Sequence, residues 1–151
     1  MASENSSQGE SDRSIEALFR RFETLSAGAD AEALAALYAP SFMMAGPGGP
    51  QIVRGGDLAL AIPKRKQLFD AAGCRSTTLR SVDHTRLDDR YSLVRTEWQW
   101  TFVRADGSST EIALPSSFIV DRAADGGKIV CYINHADIVA IMRERRLLPN
   151  S

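Results

Sequence analysis

Residues 91–122 read YSLVRTEWQWTFVRADGSSTEIALPSSFIVDR, and this stretch decides the fold. Apolar and polar residues alternate from Tyr91 to Arg104 and again from Ser109 to Arg122, the period of strands with one face on a core. Asp106-Gly107 between them is a turn pair that joins antiparallel neighbours as a hairpin. Pro115 interrupts the second run and has no N–H to give a ladder, so an edge, bulge or bend is expected there. Both runs exceed ordinary strand length, which predicts marked twist or bending.

The same pattern continues on both sides. Asp88-Asp89-Arg90 and the segment Ala123 to Gly127 are turn clusters, and beyond them lie strands expected over Arg75–Leu87 and Lys128–Asp137. Together these make a four-stranded antiparallel meander. The chain before it is helical. Ile15, Leu18, Phe19, Phe22 and Leu25 fall on one stripe of a helix that Ser11 or Asp12 is placed to cap. Gly28 closes it, and Asp30 caps a second helix carrying Leu34, Leu37 and Tyr38, which must stop near Ala39 before Pro40. Phe42–Ala45 and Gln51–Arg54 flank Gly46-Pro47-Gly48-Gly49-Pro50, the link of a short hairpin or an irregular loop. A third helix runs from Gly55 to Gly73, kinked or restarted at Pro63, with Leu68, Phe69 and Ala72 on the core. A short helix over Ile138–Arg146 ends the pattern. Met1 to Gly9 offers almost nothing apolar, so residues 1–12 are expected as a disordered tail and 13–148 as one α+β domain.

Composition narrows the function. Eighteen basic residues against 19 acidic ones, net −1, leave no basic face for nucleic acid. No apolar run is long enough to span a bilayer, and the polar start is unlike a secretion signal, so a cytoplasmic location is expected. Cys74 and Cys131 carry no metal or redox motif, and His84 has no cysteine or carboxylate cluster around it at ligand-like spacing. Neither a metal nor a cofactor is expected.

Three short signatures, Ala27-Gly28-Ala29-Asp30, Leu37-Tyr38-Ala39-Pro40 and Gly126-Gly127-Lys128-Ile129-Val130, sit in an order that resembles the nuclear transport factor 2 (NTF2) superfamily, with its ketosteroid isomerase-like and SnoaL-like members. The resemblance spans about Ser14 to Asp137. It implies a cystatin-like cone, N-terminal helices packed on a curved antiparallel sheet around an apolar cavity, and commonly a homodimer through the sheet's outer face. It does not carry over an activity. Aligned on Leu37-Tyr38-Ala39, Gly46-Pro47 stands where the isomerases carry their general-base aspartate, and Arg21 stands where they have an oxyanion-donating tyrosine. Steroid-type isomerisation is therefore disfavoured. Aligned on the last signature, Tyr132 and Asn134 stand where SnoaL-like cyclases tend to carry a histidine and an aspartate.

Taking Asp106-Gly107 as a two-residue turn sets Trp98 opposite Pro115 and Trp100 opposite Ala113. Val94, Ile119, Cys131, Ile133, His135 and Asp137 then share the indoles' face, the expected inner surface, and a slip of one residue would reverse every one of them. Trp98 and Trp100 are candidates for an aromatic wall, or plain core packing. Tyr38, Phe42 and Met44 are candidates for the cavity floor, or ordinary core. His135 and Asp137, two apart on a strand, are a candidate acid/base pair, or a structural hydrogen bond with Asp137 capping the next helix. Arg95, Glu97 and Gln99 point the other way, toward an interface expected to include Phe118 and Tyr132. The expected function is binding of a small apolar or aromatic molecule, with isomerisation, cyclisation or hydrolysis as open possibilities; the alternative is a non-enzymatic homodimeric binding or assembly domain.

Overall fold

The computed structural model describes residues 2–28, 30–124 and 126–148. Helices α1 (Ala2–Ala27) and α2 (Ala31–Ala35) precede strands β1 (Tyr38–Gly46) and β2 (Gly49–Arg54); then follow helix α3 (Gly55–Ala71), strands β3 (Cys74–Arg86), β4 (Tyr91–Val103), β5 (Ser109–Asp121) and β6 (Lys128–Asn134), and helix α4 (Ile138–Glu144). One curved, unclosed sheet holds all six strands in the order β2-β1-β6-β5-β4-β3, with helices packed on it. The sheet is mixed rather than wholly antiparallel. Tyr38 stands opposite Ile129, so β1 and β6 enter from the same end and run parallel, while every other pairing is antiparallel.

The second helix is shorter than its apolar pattern predicts, because the ladder takes over two residues earlier. Ile129 N–H donates to the Leu37 carbonyl at 2.9 Å, and Tyr38 already belongs to β1. Pro40 favours that extended entry. It lies where the β1–β6 register shifts, between Tyr38 and Met43, so its missing N–H costs no ladder bond there. At the other end of β1, Pro47-Gly48 turns the chain directly into β2, with Gly46 opposite Gly49. The hairpin reading of that segment is the correct one.

Helix α1 fills the concave side of the sheet. Ile15, Leu18 and Phe19 are buried, and burial of each such side chain contributes about 1.5–3 kcal/mol. The helix begins at Ala2, so helical backbone occupies the stretch expected as a tail, and neither Ser11 nor Asp12 stands at its start. Extension beyond the packed stripe is inexpensive, since each added residue gains a hydrogen bond on an existing nucleus. At the edge strand β3 the ladder bulges between Leu79 and Ser81, and α1 takes up the freed backbone groups. Glu23 Oε2 accepts from Leu79 N–H at 2.7 Å, Arg20 Nη1 donates to the Leu79 carbonyl at 3.2 Å, and Arg20 and Glu23 pair at 3.4 Å.

Helix α3 ends at a glycine that geometry requires. Gly73 has φ +89°, and a Cβ there would lie 2.3 Å from the Val103 carbonyl oxygen, while Val103 N–H donates to the Gly73 carbonyl at 2.9 Å. Leu68, expected on the core side of α3, is 37% exposed; Phe69 and Ala72 are buried as the pattern predicts.

The register of β4 with β5 differs by one from the count based on a two-residue turn. Arg104 and Ser108 close a three-residue loop, Ala105-Asp106-Gly107, in which Gly107 N–H returns to the Arg104 carbonyl and Gly107 has φ +88°. Trp98 therefore faces Leu114 and Trp100 faces Ile112, with Glu97 opposite Pro115. The shift carries through β5 and β6. Phe118 pairs with Tyr132 on the inner face with the indoles, whereas Ile119, Cys131 and Ile133 turn outward. Phe118 is fully buried rather than part of an outer interface.

Two substitutions test this framework. Gly73→Ala should cost at least about 1–2 kcal/mol and lower Tm by about 2–8 °C or more; Gly107→Ala, with nothing within 4 Å of its added Cβ, should cost less. Glu23→Ala leaves the Leu79 N–H without its acceptor and should cost about 1–3 kcal/mol, with Glu23→Gln nearer wild type, both read by thermal denaturation.

Candidate ligand-binding cavity

A cavity of about 240 Å³ lies between α3 and the inner face of the sheet. Each wall comes from a periodicity in the sequence. Leu58, Ile62, Arg65 and Phe69 face it from α3 at the spacing of one helical stripe. Trp98 and Trp100 face it from β4, two apart, as side chains on one face of a strand must. Tyr38 and Met44 come from β1, Tyr132 from β6, and Phe22 from α1. A dry apolar cavity of about 150 Å³ admits benzene. The space here therefore suits a molecule of one or two rings.

The indoles are held differently. Trp98 N–H donates to Thr96 Oγ1 at 2.9 Å, and that hydroxyl donates to the Ser116 carbonyl at 3.3 Å. Trp98 also packs against Phe22, with centroids 5.4 Å apart. Trp100 meets Phe69 edge-on at 6.4 Å, and its N–H has no hydrogen-bond partner among the described residues. The Tyr38 hydroxyl is likewise without a partner, although the residue is only 6% exposed. Among the described residues, Arg122 Nε is the sealed side-chain polar atom left unpaired, so the Tyr38 hydroxyl and the Trp100 N–H are not sealed, and both residues line the cavity. Burial, with a smaller contribution from Tyr132, holds the Tyr38 phenol well above its ordinary pKa against the opposing influence of Arg65. It is a neutral donor throughout the physiological range.

Tyr132 is oriented by its own strand, donating to Asn134 Oδ1 at 2.6 Å, and Ser116 Oγ lies 3.4 Å from the same oxygen. Cys74 lines the cavity, but burial raises its pKa, which leaves a protonated, weakly nucleophilic thiol at neutral pH. Asp70, at the rim, pairs with Lys66 at 3.6 Å.

Of the residues singled out in the sequence, Tyr38, Met44, Trp98 and Trp100 come together on this cavity. Phe42 is buried behind it, its ring 4.4 Å from that of Tyr38. His135 and Asp137 do not reach it. The one-residue register correction turns His135 to the outer face, where Nε2 lies 2.7 Å from Ser117 Oγ. Asp137 caps α4, Oδ1 accepting from Ala140 N–H at 3.1 Å. Arg21 is exposed and off the cavity. Tyr132 is the inward residue of β6, and the alignment on Gly127-Lys128-Ile129-Val130 had marked it where the turn count had not. Of the α3 stripe only Phe69 was read as facing inward: Pro63 divides the sequence, and the period becomes visible only on reading Leu58, Ile62, Arg65 and Phe69 across the proline.

A family model described as NTF2-like protein (DUF6841) matches residues 9–137. The chain belongs to this NTF2-like family. An NTF2-like protein with a cystatin-like fold from Novosphingobium aromaticivorans superposes with a TM-score of 0.75 at 20% identity, covering 99% of this chain and 96% of that one. A putative calcium/calmodulin-dependent protein kinase II association domain from Xanthomonas campestris gives 0.63 at 14% identity, covering 83% and 86%. The β subunit of a benzoate 1,2-dioxygenase from Burkholderia mallei gives 0.62 at 18%, covering 84% and 91%. At such identities the shared property is the fold. Comparison with curated proteins finds no match. Among the described residues, no helix is long and apolar enough to cross a membrane, and no group of three or more His, Cys, Asp or Glu side chains is placed to hold a metal ion.

Proposed function

We propose that this NTF2-like domain binds one small, ring-bearing, largely apolar molecule in the cavity under α3. The observation that carries the reading is Tyr38, a largely buried residue whose hydroxyl has no partner among the described residues, on a space walled by Trp98, Trp100, Phe22 and Phe69. A ligand oxygen that accepts from this hydroxyl in place of cavity water contributes about 0.5–1.5 kcal/mol. The Trp100 N–H supplies a second donor on the same wall. Binding rather than catalysis is the role we assign. His135 and Asp137 already serve Ser117 and the start of α4, and the rim carboxylate Asp70 is held by Lys66. With Cys74 and Cys131 both free thiols, a reducing cytoplasm is the compartment we propose.

Intrinsic fluorescence tests this directly, because both tryptophans of the chain line the cavity. Titration with 2-naphthol should quench it saturably, and Tyr38→Phe should weaken binding by about 2- to 12-fold, the worth of one hydrogen bond. The same substitution should leave Tm unchanged or slightly raised in the free protein. Absence of saturable quenching by ring compounds of this size would remove the reading.

A second reading, homodimeric assembly, is favoured by one feature of the outer face. Ile52 is 70% exposed and faces Met43, 40% exposed, across the β1–β2 hairpin, and Cys131 lies beside Met43 on β6. A second copy of this chain is the occupant we propose for that apolar strip, and ligand binding and dimerisation are compatible. Sedimentation should give a dimer for the wild type and a monomer for Ile52→Asp with unchanged secondary structure; a monomeric wild type at 100 μM would contradict it.

A further inference from the structure

We infer that the cavity's ligand is an anion: an aromatic carboxylate of one or two rings, its ring on the Trp100 and Phe69 wall and its charge at a rim formed by Arg65 and Arg75. This rests on the cavity being a binding site and specifies what it selects.

The charged residues bordering the cavity are Arg65, Lys66, Asp70 and Arg75. Lys66 and Asp70 neutralise one another at 3.6 Å, one turn apart on α3. Arg65 and Arg75 are left, and neither has a carboxylate partner among the described residues. The rim therefore carries two uncompensated positive charges on a chain whose net charge is −1. A solvated surface arginine would ordinarily be placed by chance, but Arg65 is held. Its Cζ lies 4.9 Å from the Phe69 ring centroid, a cation–π arrangement that favours a guanidinium position over the ring that forms part of the cavity wall. Its field reaches inward, since Arg65 acts on the Tyr38 phenol at the cavity floor.

The interior has the complementary character. Tyr38 and Trp100 present donors without partners among the described residues, and Tyr38 stays protonated, so the polar groups awaiting a ligand are donors that favour oxygen acceptors. Asp70 is the sole carboxylate along the described lining, so nothing inside balances a cationic ligand. A planar guanidinium suits a carboxylate through paired N–H groups better than it suits a neutral amide or alcohol. Low-dielectric walls beside the two arginines strengthen that preference by focusing their field on the entrance.

The test is a matched pair of probes, 2-naphthoate and 2-naphthamide, which differ in charge but hardly in shape, measured by tryptophan quenching and calorimetry. The wild type should bind 2-naphthoate about tenfold or more tightly than the amide, with the preference shrinking as salt rises. In Arg65→Gln/Arg75→Gln the preference should fall to about twofold or less, through loss of affinity for 2-naphthoate. Both arginines are exposed, and unchanged Tm would confirm that the variant folds. Equal affinity for the two probes in the wild type, or a preference that survives the double substitution, would overturn the anion assignment while leaving the cavity a binding site. Failure of both probes to bind would overturn the binding site itself.

Discussion

Phe22 is the side chain around which the interior is arranged. Its ring packs 5.4 Å from Trp98, 5.8 Å from Phe118 and 6.1 Å from Tyr38, joining α1 to β4, β5 and β1 at once. Phe19, one turn earlier, meets Phe118 edge-on at 4.8 Å. Aromatic pairs of this kind add about 0.5–1.5 kcal/mol each beyond the area they bury. Together they hold a helix against the concave side of a curved sheet and leave the space beyond Phe22 to be roofed by α3. The cavity exists because α1 fills part of the cone and stops.

The sheet must stay curved for that arrangement to hold, and its bends are placed in sequence. Shifts of register at Tyr38/Met43, Leu79/Ser81 and Ile119/Val120 put an irregularity in β1, β3 and the β5–β6 pairing. Each exposes backbone that something else must satisfy. Proline accounts for part of the first, and Arg20 with Glu23 answers the second from α1. Gly73 then lets the chain pass from α3 to β3 in contact with Val103, so that roof and wall meet without a gap wide enough for another side chain. The two ends of the cavity are thereby fixed by short-range constraints, while two of its polar groups, Tyr38 and Trp100, have no partner among the described residues.

Much of this was legible in the sequence, and the exceptions have definite causes. The alternation in 91–122 and the stripe through Ile15, Leu18, Phe19 and Phe22 identified the helices-on-sheet architecture, and the three short signatures identified the superfamily. Tyr38, Met44, Trp98 and Trp100 were recognised as lining candidates because apolar periodicity is local. The inner face of β6 was misread because register is not local: Asp106-Gly107 fits a two-residue and a three-residue loop equally well, and the difference reverses His135 and Tyr132. The parallel pairing of β1 with β6 is a contact between distant segments that no run of residues announces. Arg65 and Arg75 carry no local signal in the sequence, and only the folded chain brings both to the lining of one cavity.

The most direct test of the hollow, ligand-receptive interior is a proton–nitrogen NMR titration of the two tryptophan indole N–H groups. Trp98, bonded to Thr96, and Trp100, which lines the cavity and has no partner for its N–H among the described residues, should give distinct resonances, with Trp100 the faster to exchange with water. Addition of 2-naphthoate should move the Trp100 resonance saturably and slow its exchange, with a smaller shift at Trp98. If both resonances are equally protected in the free protein and neither moves, the cone is filled, and the cavity is not a binding site.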